Sequence, residues 1–292
     1  MPEIDLGTPA EKAVAWMQTH LDFLFAPITD VITALAETMT SALTETPQAV
    51  LIGVFAALTL PTRRWGLTAY TLLTFLLIAG MGLWVDTMQT MALVLLATLI
   101  ALVIGIPLGI AAAFSRSVSV TLRPVMDVMQ TLPVFVYLIP AVFFFGIGPA
   151  PGIVATIVFA LPPAVRLTEL GIRGVDADTV EAAEAIGASP LQVLREVQLP
   201  LASGSIMAGV NQVIMLSLSM VVVAGLVGAD GLGTLVVRAV SSLDVAGGIQ
   251  SGLAVVVLAI YLDRLTQALS HGLRPGRARR RTPRAVPAAA VA

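Results

Sequence analysis

The chain has 292 residues, 57% of them hydrophobic and 12% charged, with a mean hydropathy of +0.94 and a formal net charge of −2. So much apolar surface excludes a soluble domain built around one core and places the chain in a bilayer. Cysteine is absent, which removes disulfides and thiolate metal sites; the single lysine, Lys12, follows no glycine-rich phosphate loop, which excludes a Walker A nucleotide site.

Residues 1–45 carry seven carboxylates against Lys12 alone. Ala13, Trp16, Met17, Leu21, Leu24, Ile28, Val31, Leu35 and Met39 recur there at roughly helical spacing, which predicts an amphipathic helix on the membrane face. A secretory signal is not expected, because no basic segment precedes an apolar run. Crossing the hydrocarbon takes about 20 apolar residues, and the hydropathy pattern then predicts seven spans. The first starts between Leu43 and Ala49 and ends near Leu60; the others cover residues 66–84, 87–114, 132–147, 152–165, 201–227 and 246–262. Pro107 between Gly105 and Gly109, Pro133 and Pro140, and the pair Pro162 and Pro163 mark bends.

Loops rich in arginine stay in the cytoplasm. Arg63 and Arg64 follow the first span, Arg116 and Arg123 the third, Arg166, Arg173 and Arg195 the fifth, and Arg264 through Arg284 the seventh. Only Lys12 and Arg238 fall on the other side, so the N-terminus is expected outside and the C-terminus inside. Asp86, Asp127, Arg166, Glu169, Asp244 and Asp263 fall near span ends, and Arg166 and Glu169, three apart, are expected to pair. Because charges at mid-span mark ion or proton pathways, their scarcity argues against a proton-coupled carrier. It argues equally against a membrane-embedded hydrolase with a nucleophile and base. His20 and His271 lie in opposite terminal regions, so no histidine metal site is expected.

Residues 181–200, EAAEAIGASPLQVLREVQLP, form the one long stretch of the second half that is neither uniformly apolar nor part of the basic tail. Asp178 as N-cap with Glu181 three residues on predicts a short helix over 179–186, stopped by Gly187 as a C′ glycine. Ser189 as N-cap, Pro190 at the first helical position and Gln192 as box partner predict a second helix ending near Val197, with Pro200 closing the unit. Ala182, Ala183 and Ala185 give the first helix a face that another backbone approaches closely, flanked by Glu181 and Glu184.

The spacing of Glu181, Ala182 and Ala183, then Gly187, then Val197 to Pro200, resembles the EAA loop of the permease subunits of ABC importers. The segments QTLPVFVYLIPAVFFFGIGPAPG (130–152) and SLSMVVVAGLVGADGLG (217–233) resemble the subgroup that imports glycine betaine, proline betaine and related osmoprotectants. Asp230 departs from the glycine that the subgroup places there. The resemblance implies an all-α integral membrane protein with the type I ABC importer (MetI-like) permease fold and about seven transmembrane helices. It divides the chain into an extracytoplasmic segment (1–45), two additional N-terminal helices (46–84), and a core permease domain (85–270) with a cytoplasmic coupling loop at 178–200. A basic disordered tail (271–292) attracted to anionic lipid follows.

Glu181, Ala182, Ala183, Gly187 and Pro200 carry over as the ATPase-coupling residues. Phe135, Tyr137, Pro140 and Met220 are candidates for the translocation pathway, where aromatic faces attract a quaternary ammonium. Neither a catalytic nor a metal residue is implied, and ATP and Mg belong to a partner ATPase subunit. Further implied partners are an extracytoplasmic solute-binding protein, a second identical permease copy and membrane lipid, with no nucleic acid. The implied location is the bacterial inner membrane, crossed several times. Choline, methionine or another amino acid as solute, and a self-sufficient channel or secondary carrier, remain as rival readings.

Overall fold

The structure, a computed structural model, describes residues 7–62 and 65–272. The expectations for Arg63, Arg64 and the basic tail lie outside the described residues, as does that for the His271 side chain. All described secondary structure is helical, in the order α1 (Gly7–Thr44), α2 (Gln48–Thr59), α3 (Trp65–Gly80), α4 (Trp84–Phe114), α5 (Arg116–Thr131), α6 (Val134–Phe145) and α7 (Pro149–Arg173). After these come α8 (Ala177–Ala185), α9 (Pro190–Gln192), a π turn (Val193–Gln198), α10 (Leu199–Ser219), α11 (Val221–Leu226), α12 (Leu232–Ser242) and α13 (Val245–Gly272).

The centre is a bundle of α4, α7 and α10, and glycine lets its backbones meet. A β-carbon on Gly105 would lie 2.6 Å from Ala164 Cβ, and one on Gly109 would lie 2.6 Å from both Thr168 Cβ and the Val165 carbonyl oxygen. Both contacts advance in the same direction, so α4 and α7 run parallel. Gly171 meets Ala202 and Ser205 whereas Gly209 meets Leu167 and Pro163, so α10 runs antiparallel to α7. Small residues at helix crossings are how spans associate where lipid is as apolar as leucine.

Alongside the bundle, α2 and α3 form a hairpin held to α13 by rings. Phe55 stacks on Phe75 at 4.7 Å, and Phe75 meets Tyr261 edge-on at 5.0 Å. With 12 and 16 residues these two helices are only about 18 and 24 Å long at 1.5 Å per residue. They are shorter than the roughly 30 Å of hydrocarbon. Pro47 at the N-cap of α2 and a 3₁₀ turn at Leu60–Thr62 set the limits of α2.

Five described helical segments are long and apolar enough to cross a membrane: Val14–Thr44, Trp84–Phe114, Pro149–Arg173, Pro190–Leu226 and Val245–Ala268; α5 and α6, bent by 96°, make a sixth if counted as one span. Pro162 and Pro163 do not end α7, and Pro107 does not end α4. Hydropathy does not reveal α5, whose apolar positions alternate with Arg116, Arg123 and Asp127.

The predicted N-terminal helix forms, though Val14–Thr44 is long and apolar enough to cross a membrane rather than only to lie on its face, and one side of it packs on the bundle. Along α1, the Gln18 side-chain amide donates to the Phe143 carbonyl, Phe25 stacks on Phe144 at 4.4 Å, and Ile32 and Ala36 join Leu96, Ala97, Ala150 and Ile153 in one cluster. This helix therefore caps the exposed C-terminus of α6, whose last carbonyls have no partner within their own helix.

The two ends of the bundle differ in charge. Arg116, Arg123, Arg166, Arg173 and Arg195 gather where α4 and α7 end and α10 begins, whereas Arg238 sits on α12 at the opposite end. At that opposite end the Leu232 amide donates to Thr90 Oγ1 at 2.8 Å, tying the turn before α12 to the start of α4. Asp263 is not at a span end as hydropathy predicts, because α13 runs on to Gly272. Its carboxylate lies between α10 and α13 and accepts from Asn211 Nδ2 at 3.0 Å and Gln267 Nε2 at 2.8 and 2.9 Å.

Candidate functional site

The bent helix pair forms at the arginine-bearing end. Asp176, rather than the predicted Asp178, caps α8, its carboxylate accepting from the Asp178 amide at 3.1 Å. The helix begins two residues earlier than the spacing of Asp178 and Glu181 predicts, because Asp176 sits directly after the turn that ends α7 and reaches the free amides first.

At the other end, the Gly187 amide donates to the Glu184 carbonyl at 2.9 Å and the Ala188 amide to the Ala183 carbonyl at 3.2 Å, the paired bonds of a Schellman motif. Gly187 has φ of +89°, as that motif requires. The second cap is a full box: the Gln192 amide donates to Ser189 Oγ at 3.4 Å and the Ser189 amide to Gln192 Oε1 at 2.8 Å. Ser189→Ala is expected to cost about 1 kcal/mol locally, roughly fivefold faster amide hydrogen exchange at Gln192. Mass-resolved exchange on the purified protein measures it.

The expectation that the second helix ends near Val197 and that Pro200 closes the unit does not hold. From Pro190 the chain passes through the π turn Val193–Gln198 straight into α10, with Pro200 in the first turn of that helix. The Leu199 amide bonds back five residues to Leu194. Proline lacks an amide proton and clashes with the carbonyl four residues before it, and widening the turn by one residue relieves both conflicts. The stretch 190–200 is consequently the root of α10 rather than a separate loop.

Nothing in α8 is buried. A helix of nine residues is too short to be stable alone in water, and its two caps compensate only in part. The surface it offers is mixed: Glu181, Ala182 and Glu184 are exposed, Ile186 is 88% exposed beside Gly187, and Leu191 is 56% exposed. Exposed apolar residues rimmed by carboxylates are the chemistry of a protein docking surface. Ile186 was not legible as part of it beforehand, since its spacing matches the buried face of an ordinary helix.

Directly before α8, the last two turns of α7 hold a charged node. Glu169 pairs with Arg173 at 3.1 Å and Arg123 at 3.8 Å and accepts from Ser119 Oγ at 2.7 Å. Arg173 also donates to the Ala112 and Ala113 carbonyls at 2.6 and 3.3 Å, closing the C-terminus of α4. The predicted Arg166 to Glu169 pair does not form. Arg166 instead meets Asp127 of α5 at 2.5 Å, because α5 lies across α7 and brings its own carboxylate closer. The four-residue spacing of Glu169 and Arg173 was a readable signal for part of this node; the α5 partners were not.

The pathway candidates do not share one surface. Phe135 is exposed, Pro140 is half-buried within α6, and Tyr137 packs with buried Leu138 and Met220 in a cluster that includes Ala155. At the end opposite the arginines, a cavity of about 310 Å³ opens between α1, α4 and the turn before α12, and Asp230 lines it together with Glu37, Thr40, Ser41 and Gln89.

The family described as "Binding-protein-dependent transport system inner membrane component" matches residues 105–275. The glycine betaine transport system permease protein of Bacillus subtilis is 45% identical over 267 residues, covering 91% of this chain and 95% of the relative. The glycine betaine/carnitine transport permease protein of Listeria monocytogenes is 46% identical over 274 residues, 92% of this chain and 97% of its own length. The glycine betaine/proline betaine transport system permease protein of Escherichia coli is 45% identical over 271 residues, 93% of this chain and 77% of the relative. Among solved structures, an inward-facing form of the MetNI methionine ABC transporter aligns with a TM-score of 0.58 at 21% identity, over 65% of this chain and 95% of that one. That likeness is one of fold.

Proposed function

The chain belongs to the family of binding-protein-dependent transport system inner membrane components, and from that premise we propose that it is the permease subunit of an ATP-driven importer of glycine betaine, proline betaine and related osmoprotectants. It is a multi-pass protein of the bacterial inner membrane. The observation that carries the reading is the exposed, doubly capped helix pair with nothing buried in α8.

In this reading residues 176–200 face the cytoplasm, as the positive-inside rule assigns to the end bearing Arg116, Arg123, Arg166, Arg173 and Arg195. Glu181, Ala182, Ala183 and Gly187 meet an ATPase subunit that binds ATP and Mg, and Pro200 anchors the pair to α10. Two identical copies enclose the pathway. ATP binding draws the ATPase subunits together, the coupling pairs follow, and the spans open outward to receive solute from an extracytoplasmic binding protein. Phe135, Tyr137, Pro140 and Met220 line the route during part of this cycle, Met220 only after the cluster with Leu138 opens.

The test is uptake into liposomes holding the permease, its ATPase and a loaded binding protein. Labelled glycine betaine is expected to accumulate only with ATP and to be displaced by unlabelled proline betaine but not by methionine. Displacement by methionine and not by betaines reassigns the solute; accumulation by the permease alone excludes the ABC reading.

A further inference from the structure

We infer that Glu169 and Arg173 are positioning residues that carry the movement of the coupling pair into α5 and α6. The inference rests on the reading of residues 176–200 as the ATPase-docking element. Arg173 is the last residue of α7, and the N-cap of α8 is Asp176, three residues later. Displacement of α8 therefore reaches α10 through the π turn and, at its other end, pulls on the final turns of α7. Those turns grip both neighbouring helices: Arg173 holds the end carbonyls of α4, and Glu169 holds Ser119 and Arg123 of α5.

The Glu169 side chain is only 12% exposed and engages three partners at once. Charge-assisted bonds of this kind are directional, so they transmit displacement as well as binding energy. Among the described residues, every side-chain hydrogen bond and ion pair from α5 to another helix ends on α7, at Glu169 or Arg166. A shift of α7 thus reaches α5 through these directional points as well as through the apolar contact of Met126 with Leu161 and Val165. The 96° bend between α5 and α6 then turns movement of α5 along its own axis into a tilt of α6, the helix that carries Phe135, Tyr137 and Pro140. If the node served only to hold the fold, its loss would lower the amount of protein and leave each assembled complex equally well coupled.

The experiment compares wild type, Glu169→Gln and Ser119→Ala in the complete reconstituted complex, measuring solute taken up and ATP hydrolysed on the same vesicles. Glu169→Gln keeps an acceptor for Ser119 but loses both guanidinium pairs. It is expected to retain basal ATP hydrolysis, lose stimulation by the loaded binding protein, and lower uptake per ATP at least about tenfold, since even one charged hydrogen bond is worth that much. Ser119→Ala, which removes one of the three partners of the Glu169 carboxylate and leaves both guanidinium pairs, is expected to lower the ratio less, about threefold. A ratio equal to wild type in both variants overturns the inference. So does a Glu169→Gln protein that fails to reach the membrane while Ser119→Ala couples normally, which assigns the node to folding. If wild type itself shows no ATP-dependent uptake, the permease reading is what fails.

Discussion

Replacing Gly187 with tryptophan is expected to abolish ATP-driven uptake while leaving the protein in the membrane at its normal level. Gly187 sits at φ of +89°, in the left-handed region that costs an L-residue about 1–2 kcal/mol. A β-carbon there meets nothing within 4 Å, and the turn is exposed, so the new side chain starts in open space. The strain falls on an exposed turn between two short helices, outside the α4, α7 and α10 bundle that decides whether the chain folds. The indole would project beside Ile186, at the apex of the docking surface, and hold the ATPase away. Gly187→Asn separates shape from size, because asparagine tolerates the left-handed conformation and is small. It should keep most of the uptake. Loss of uptake in both variants would place the effect in the turn itself, and normal uptake in the tryptophan variant would remove Gly187 from the docking surface.

Gly109→Leu is expected to have the opposite signature, with little protein in the membrane and any remainder unfolding well below wild type. Even the first carbon of the new side chain would stand 2.6 Å from Thr168 Cβ and the Val165 carbonyl, both on α7. Overpacking a close-packed interior costs about 1–3 kcal/mol where neighbours can move, and here the obstacle includes backbone. Gly53→Leu is the control, since a β-carbon at Gly53 in α2 meets nothing within 4 Å. Thermal unfolding in detergent, followed with both variants, should show a large downward shift for Gly109→Leu and almost none for Gly53→Leu.

How much of this was legible in the sequence depends on whether the deciding interaction is local. The Ser189, Pro190 and Gln192 box and the Gly187 stop are local, and both form as predicted. Long apolar runs revealed α4, α7, α10 and α13 for the same reason, since hydropathy needs no partner. The hairpin of α2 and α3 is apolar enough to read as two spans, but its helices are shorter than those runs imply, because Pro47 and the turn after Thr59 limit α2. Pro200 misled in another way: proline ends a helix of ordinary pitch, and the π turn before it changes the pitch. The Arg166 to Glu169 pairing failed because the partner that captures Arg166 lies on α5, 39 residues away in sequence. In the candidate site, then, the caps and the glycine were readable, whereas the node that roots them in the bundle appears only once α5 is laid across α7.

The absence of cysteine from the natural chain makes one measurement unusually direct. A single Ile186→Cys permease, expressed with its ATPase, is exposed to a membrane-impermeant maleimide in intact spheroplasts and again after the membrane is opened. The account predicts no labelling in intact spheroplasts, labelling once the inner face is reached, and protection when the ATPase is bound. Labelling of Ile186→Cys from outside would contradict it, since no cytoplasmic ATPase then touches the helix pair.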